Sequence, residues 1–279
     1  MKKIAVMTDS GADISEQEAT ELGIHVIRLP LVINGVQYIE SKDITRDDFI
    51  SRMKKGCSVK TSSPILGELM KRWEKLLEEY DEILYIPLSS NLSGSYNTAM
   101  AASMGYEGRV VVVDAKFVCY PLTVLCKDVL KLIEHGYDAN QIKALVEAQA
   151  EMWACLIPFD LTSLMRGGRI SPALAALGNM LKIVPILKVE NGAIDVLNKV
   201  RTHKKAYDMA IKEICDGKSP DDYIFMIVDG DNHEAAIFLK EAMEELLHTE
   251  VEIHPMAPVI MSHTGPGTVA LGWYRKLKY

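Results

Sequence analysis

Hydrophobic and polar positions in the first half of the chain alternate between short apolar runs and amphipathic stretches. Apolar runs closed by turn residues are typical of buried strands, and they fall at residues 3–8, 24–29, 82–87 and 109–114. Amphipathic stretches predict helices at residues 15–22, 46–55, 64–80, 93–104, 122–135 and 140–152. Asn34-Gly35 predicts a hairpin turn. This alternation predicts an α/β domain of three layers, in which helices cover both faces of a mostly parallel sheet.

The second half of the chain has a different pattern. Its strands are expected at residues 155–160, 184–189, 193–200, 223–229 and 251–261. The turn at Glu190-Asn191-Gly192 joins two of them directly, which predicts an antiparallel pair within a mixed or antiparallel sheet. We therefore expect an N-terminal α/β domain at residues 1–152 and a C-terminal α/β domain at residues 153–279. Segment 61–80 is a candidate for packing with the second domain.

Composition restricts the classes of function. The chain has 279 residues, of which 48% are hydrophobic and 25% charged, and its formal net charge of −7 argues against binding to nucleic acid. Its five cysteines are widely spaced and form no CxxC or His/Cys cluster, so neither a metal site nor a disulfide framework is predicted. No segment is suited to a signal peptide or a membrane span, so we expect a cytoplasmic protein without stable membrane insertion.

Hydroxyl-bearing and glycine residues concentrate in three segments, residues 59–64, 86–96 and 261–268, each placed where a strand is expected to end. Ligands of open α/β sheets bind beyond the carboxyl ends of strands. A helix beginning near Ser93 offers backbone N–H groups and the positive end of its dipole, which suits an anion. Gly94 allows close approach to the backbone, and Ser95 adds a second hydroxyl. Simple capping and turning of the chain explains the same serines equally well.

Several common enzyme motifs are absent. The chain has no GxxxxGK[ST], GxGxxG or HExxH sequence, which argues against P-loop, dinucleotide and zincin enzymes. Ser93 and His263 follow the chain order of an α/β-hydrolase triad, but the Gly-x-Ser-x-Gly elbow is missing. A serine-dependent acyl hydrolase or transferase using these two residues is therefore the alternative hypothesis to a non-catalytic binding protein without a cofactor.

The sequence resembles the DegV family over essentially its whole length. Five motifs in the same order carry the resemblance: IAVMTDS at residues 4–10 with Asp13, KTSSP at 60–64, SSNLSGS at 89–95, RGGRI at 166–170 and HTGPG at 263–267. In the threonine motif and directly after it, Ser63 and Ile65 replace commoner Gln and Ser, and in the serine motif Asn91 and Ser95 replace commoner Gly and Thr.

The resemblance implies a two-domain α/β protein that buries a long-chain fatty acid such as palmitate or oleate. It implies that Thr61 and Ser93 bind the carboxylate, with Gly94 and Ser95 beside them and His263 in the same polar network. The better-characterised members are lipid-binding subunits of bacterial fatty acid kinase. They hand the acid to a dihydroxyacetone-kinase-like subunit, which makes an acyl-phosphate. The resemblance thus implies a role in lipid transport.

Basic residues gather at residues 166–169 and 199–205. Given the resemblance, Arg166, Arg169 and Arg201 are candidates for docking the kinase subunit, and a solvated turn is an equally good explanation of the first two. A third hypothesis is a small-molecule sensor without a kinase partner.

Overall fold

The computed structural model describes residues 2–159, 161–169 and 183–279. Contacts group the chain into two compact units. Unit 1 comprises Met1–Thr45, Thr61–Ala150 and Leu277–Tyr279, and unit 2 comprises Arg46–Lys60 and Glu151–Lys276. The main division between the units thus falls at residues 150 and 151, and it is the segment Arg46–Lys60 that joins the C-terminal half, whereas residues 61–80 lie in unit 1.

The strands of the first 150 residues form two sheets. They are β1 (Ile4–Asp9), β2 (His25–Ile27), β3 (Pro30–Ile33), β4 (Val36–Ile39), β5 (Val59–Thr61), β6 (Glu82–Ile86) and β7 (Val110–Val112). One sheet is parallel, in the order β2-β1-β6-β7, and the other has the order β4-β3-β5. The predicted hairpin is confirmed: β3 and β4 are antiparallel, and both Asn34 and Gly35 have positive φ, as its tight turn requires.

Helices cover both faces of the parallel sheet. The helices of the first 150 residues are α1 (Glu16–Leu22), α2 (Arg46–Lys54), α3 (Leu66–Leu76), α4 (Ser95–Ser103), α5 (Tyr120–Glu134) and α6 (Ala139–Gln149), of which α2 belongs to unit 2 and not to the cover of this sheet. On one face, Trp73 of α3 and Ala99 of α4 pack against Met7 and Tyr85 of the sheet. The alternate strand residues are also buried, and α5 and α6 contact the sheet as the opposite layer. The predicted three-layer α/β arrangement is confirmed.

Unit 2 contains a mixed sheet. Its strands and its remaining described helices are β8 (Met152–Ile157), β9 (Val184–Glu190), β10 (Ala193–Val200), β11 (Tyr223–Gly230), β12 (Glu252–Pro255), β13 (Thr268–Arg275), α7 (Thr162–Gly167), α8 (His203–Cys215), α9 (His233–Leu247) and α10 (Pro258–Thr264). The order is β10-β9-β8-β13-β11-β12, with β11 and β12 parallel and the other neighbours antiparallel. The predicted antiparallel pair is β9 and β10, and the predicted mixed sheet is confirmed.

The predicted strand at residues 251–261 is wrong in its second half. The strand covers only Glu252–Pro255, and α10 follows it. A continuous apolar run does not distinguish a short buried helix from a strand, and Pro258 fits the first turn of a helix. His263 therefore lies on a helix, and its segment precedes β13, a central strand that the sequence pattern did not reveal.

Smaller differences concern element ends. The helix expected at 140–152 ends at Gln149, and Met152 already begins β8. The strand expected at 155–160 ends at Ile157, and Asp160 lies outside the described residues. Across the part of the chain that the structure describes, no helix is both long and apolar enough to cross a membrane.

Candidate functional site

The Ser93 segment lies directly beyond the carboxyl end of β6. This strand ends at Ile86, and α4 begins at Ser95, two residues later than Ser93, where the sequence pattern placed the start. The carbonyl oxygen of Ser89 accepts hydrogen bonds from the N–H groups of Leu92 at 3.0 Å and Ser93 at 3.1 Å. These bonds close a tight turn, which leaves the side chain of Ser93 half-buried in front of the helix.

The hydroxyl of Ser93 is oriented by Ser95. The backbone N–H of Ser95 donates to Ser93 Oγ at 3.2 Å, and the two hydroxyl oxygens are 2.8 Å apart. Ser95 is fully buried, so water does not compete for its hydroxyl. When Ser95 donates to Ser93 Oγ, the Ser93 proton is available for an external acceptor. In this orientation the pair offers a hydrogen-bond donor at the half-buried N-terminal end of α4.

The segment that carries Thr61 adjoins the Ser93 segment. Thr61 is the last residue of β5, and the N–H of Ser62 donates to the carbonyl oxygen of Pro30 at 3.3 Å. The hydroxyl of Ser63 lies 3.0 Å from the position that a Cβ would occupy on Gly94. The two hydroxyl-bearing segments thus adjoin within unit 1, at Ser63 and Gly94.

His263 is seated against α7 within unit 2. A Cβ on Gly167, the last residue of α7, would lie 2.5 Å from His263 Nδ1, so the imidazole occupies the space above this glycine. Burial, together with the positive charge of Arg169, lowers the pKa of His263 to about 4. The imidazole is therefore neutral near pH 7, with one nitrogen that donates and one that accepts a hydrogen bond.

The loop that follows His263 depends on two further glycines. Gly265 has a φ of +84° and a Cβ there would lie 2.9 Å from Ser163 Oγ. Gly267 has a φ of +91° and a Cβ there would lie 2.8 Å from Phe159 Cβ. Both the left-handed conformation and the close contacts exclude other residues. Steric contact therefore fixes the segment that carries His263.

The three arginines proposed for docking are exposed and belong to unit 2. Arg166 lies in the last turn of α7, Arg201 follows β10, and Arg169 donates from Nη1 to the carbonyl oxygen of Gly167 at 2.7 Å. This bond places Arg169 beside the glycine on which His263 rests. Ile170, which completes the RGGRI motif, lies outside the described residues.

The predicted site residues divide between the two units. Thr61, Ser93, Gly94 and Ser95 lie in unit 1, and His263 lies in unit 2. Among the described residues, no group of three or more His, Cys, Asp or Glu side chains is arranged to hold a metal ion.

Sequence reasoning assigned no role to two residues that shape the site. One is Gly167, which belongs to the RGGRI motif and touches His263 of the HTGPG motif, a contact that neither motif reveals. The other is Asp9, a fully buried acid at the end of β1. An acid directly after a buried strand, between Thr8 and Ser10, was the signal available in the sequence.

Comparisons with known proteins agree on one family. A family model described as "Uncharacterised protein, DegV family" matches residues 3–276. A DegV domain-containing protein of Staphylococcus aureus is 33% identical over 274 residues, which cover 97% of this chain and 98% of that protein. A fatty-acid-binding DegV family protein from Thermus thermophilus has a TM-score of 0.88 at 26% identity, covering 98% of this chain and 100% of that one. DegV from Bacillus subtilis, described as a fatty acid binding protein, has a TM-score of 0.84 at 29% identity, covering 99% and 100%.

Proposed function

Because this chain belongs to the DegV family, we propose that it binds a long-chain fatty acid such as palmitate or oleate in a buried apolar pocket, with the carboxylate held by Thr61 and Ser93. The observation that carries the proposal is the hydroxyl pair of Ser93 and Ser95, which adjoins the Thr61 segment beyond the end of β6. A donor at the N-terminal end of a helix suits a carboxylate. The fatty-acid binding described for the relatives from Thermus thermophilus and Bacillus subtilis supports the same ligand class.

Neutral donors suffice for such a ligand because the acyl chain supplies most of the affinity. Transfer of about fifteen methylenes out of water, at ~0.8 kcal/mol each, offers on the order of 12 kcal/mol. Immobilisation of ligand and side chains offsets a sizeable part of this. Hydroxyls at the polar end can therefore orient the carboxylate without an arginine salt bridge, which leaves a carboxylate oxygen accessible to a second protein.

We further propose that the protein is a non-catalytic subunit, which presents the acid to a dihydroxyacetone-kinase-like partner in the bacterial cytoplasm. The partner would form the acyl-phosphate, and this chain would act as the lipid carrier. The exposed side chains of Arg166, Arg169 and Arg201 supply positive charge for docking, and electrostatic complementarity at such a surface accelerates encounter. Arg169 also bonds to Gly167, which supports a link between docking and the position of His263.

The alternative, an acyl hydrolase using Ser93 and His263, is disfavoured by the state of the histidine. A general base works best when its pKa lies near the working pH, and burial lowers the pKa of His263 to about 4. We therefore assign His263 to the polar network around the carboxylate. Ester or thioester turnover that disappears in both Ser93→Ala and His263→Ala would overturn this assignment.

Substitution of Ser93 tests the carboxylate site. Ser93→Ala is expected to weaken palmitate binding by about 1–3 kcal/mol, because a charged acceptor loses a donor. This corresponds to roughly 5- to 150-fold in Kd, measured by calorimetry or a fluorescent fatty acid. Ser103→Ala is the matched control, since Ser103 lies at the other end of α4 and its hydroxyl bonds only within the helix, to the carbonyl oxygen of Met100. Palmitate binding by Ser93→Ala equal to that of the parent would place the site elsewhere.

Phosphorylation gives a second and sharper result. With a cognate kinase, Ser93→Ala is expected to abolish acyl-phosphate formation. This loss is larger than the expected loss of palmitate affinity. His263→Ala is expected to retain palmitate and to impair the handover. Normal acyl-phosphate formation by both variants would contradict the proposed presentation of the carboxylate.

A further inference from the structure

Asp9, the last residue of β1, carries a carboxylate that the proposed function leaves unused. Its side chain is fully buried. Its Oδ1 accepts a hydrogen bond from the N–H of Gly11 at 2.8 Å, and its Oδ2 accepts one from the N–H of Leu88 at 3.1 Å. Leu88 is 79 positions further along the chain, in the segment that follows β6. One carboxylate therefore joins the loops that follow two adjacent strands of the parallel sheet.

The surroundings of this carboxylate are tightly packed. A Cβ on Gly11 would lie 2.8 Å from Leu88 Cβ and 2.9 Å from Asp9 Oδ1. The loop after β7 takes part as well, because the N–H of Ser89 donates to the carbonyl oxygen of Phe117 at 2.7 Å. The loops at this end of the sheet thus form one hydrogen-bonded assembly around Asp9, and the assembly has little room to rearrange.

A short path leads from Asp9 to Ser93. The carboxylate holds the N–H of Leu88, and Ser89 is the next residue in the chain. The carbonyl oxygen of Ser89 accepts the N–H of Ser93 at 3.1 Å. Two hydrogen bonds and one peptide link therefore connect the buried carboxylate to the backbone of the residue proposed to hold the ligand.

The chemistry of the position requires an acid. Two N–H donors converge on two oxygens, and an asparagine would turn its NH2 group toward one of them, so that a donor faces a donor. Burial raises the pKa of Asp9 to about 7, although the two N–H donors lower it. The charged and titratable groups that face Asp9 from neighbouring elements are Arg28, Glu40, Tyr85 and Cys126. At pH 8 the carboxylate form predominates and both bonds are made.

We propose that Asp9 is a positioning residue for the fatty acid carboxylate, which holds the Ser93 segment through the N–H of Leu88 so that the Ser93 hydroxyl faces the acid. The inference rests on the proposed function of Ser93. Asp9 acts through Ser93 and does not touch the ligand. Its loss therefore impairs recognition of the head group and leaves burial of the acyl chain intact.

The test compares two ligands that share an acyl chain. Affinities for palmitate and hexadecanol are measured at pH 8 for the parent, Asp9→Asn, Ser93→Ala, the double variant and Glu82→Gln. Glu82 is the matched control, because it is a buried carboxyl at the opposite end of β6. We expect Asp9→Asn to raise the Kd for palmitate about tenfold, near the lower end of the range for loss of one hydrogen bond to a charged group. The Kd for hexadecanol is expected to stay unchanged. In the Ser93→Ala background, Asp9→Asn is expected to add nothing, and Glu82→Gln is expected to bind as the parent does.

The outcomes separate this role from the proposed function. A parent that binds no palmitate overturns the proposed function, and the positioning role with it. Weakening by Ser93→Ala alone, with Asp9→Asn equal to the parent, overturns only the positioning role. Equal losses for palmitate and hexadecanol, or additive effects of the two substitutions, identify Asp9 as a purely structural residue and overturn the proposal as well.

Hydrogen exchange in the unmutated protein tests the proposal if Asp9→Asn does not fold. A bond that favours the binding-competent arrangement is in turn stabilised by the ligand, since linkage is reciprocal. Palmitate is therefore expected to slow exchange of the Leu88 and Ser93 amides together. Slower exchange at Ser93 with no change at Leu88 would contradict the proposed path.

Discussion

The Ser93 segment of unit 1 and the His263 segment of unit 2 are both held rigidly, by different physical means. Hydrogen bonds hold the Ser93 segment: the N–H of Leu88 donates to the Asp9 carboxylate, and the N–H of Ser93 donates to the carbonyl oxygen of Ser89. Close packing against glycines holds the His263 segment, as at Gly167. A hydrogen-bond network is weakened by a change in protonation, whereas close packing is disturbed by a change in side-chain volume. The two segments should therefore fail under different perturbations.

The pKa shifts of the buried titratable groups in the two segments also have opposite signs. Burial raises the pKa of Asp9 to about 7 and lowers that of His263 to about 4, because in each case the charged form is the one that loses water. Over the same range of acidic pH, the two segments thus contribute opposite slopes to the stability of the protein.

The largest effect is expected from Asp9. Its folded pKa of about 7 lies above its ordinary value of 3.8, so the folded state holds the extra proton between these limits. The contribution of Asp9 to the free energy of unfolding is full below about pH 4 and is lost as the pH rises to about 7, by on the order of 4 kcal/mol. Urea unfolding of Asp9→Asn should lack this decline. A parent and variant whose stabilities change in parallel between pH 4.5 and pH 7.5 would contradict the assignment.

His263 should behave in the opposite way. Its folded pKa of about 4 lies below its ordinary value of 6.5, so its contribution is full above about pH 6.5 and is lost as the pH falls toward 4. We expect a loss on the order of 2 kcal/mol, reduced by partial exposure of the ring. His263→Gln removes this acid-induced loss. Unchanged acid sensitivity in that variant, followed by denaturant unfolding, would show that the histidine is already accessible to protons.

A pair of glycine substitutions is expected to give the smallest changes in stability, and it tests whether close packing holds the His263 segment. Gly167→Ala is expected to destabilise the protein by about 1–2 kcal/mol, because its methyl would displace the His263 ring. Gly67→Ala in α3 is the control, since nothing lies within 4 Å of its Cβ position, and it should stabilise by about 0.5–1 kcal/mol. Thermal unfolding of both variants checks the signs. Equal shifts in Tm for the two variants would show that the His263 ring can move away from the new methyl group without loss of stability.

The sequence predicted the parts of the fold that depend on local patterns. The hairpin at Asn34-Gly35 and the alternation of strands and helices in unit 1 follow from turn chemistry and periodicity. The central strand β13 escaped prediction, because its position between β8 and β11 depends on tertiary pairing and Gly272 interrupts its apolar pattern. The apolar run before it was assigned to a strand where α10 begins at Pro258, because such a run has no period of its own.

The candidate site shows a similar division. The serines and glycines near Ser93 were recognisable from their position after a strand. The contact between Gly167 and His263 was not, since nearly a hundred positions separate them and only the fold brings them together. The same holds for the bond between Asp9 and Leu88. Sequence patterns therefore indicated the candidate site residues, and the structure indicates which residues hold them in place.

Mass spectrometry of the purified protein tests the central claim most directly. We expect native spectra to show a one-to-one complex, and an organic extract to yield a carboxylic acid of roughly sixteen to eighteen carbons, because loss of the ligand would expose apolar surface to water. Spectra that show only ligand-free protein, together with no uptake of added palmitate or oleate, would contradict the account.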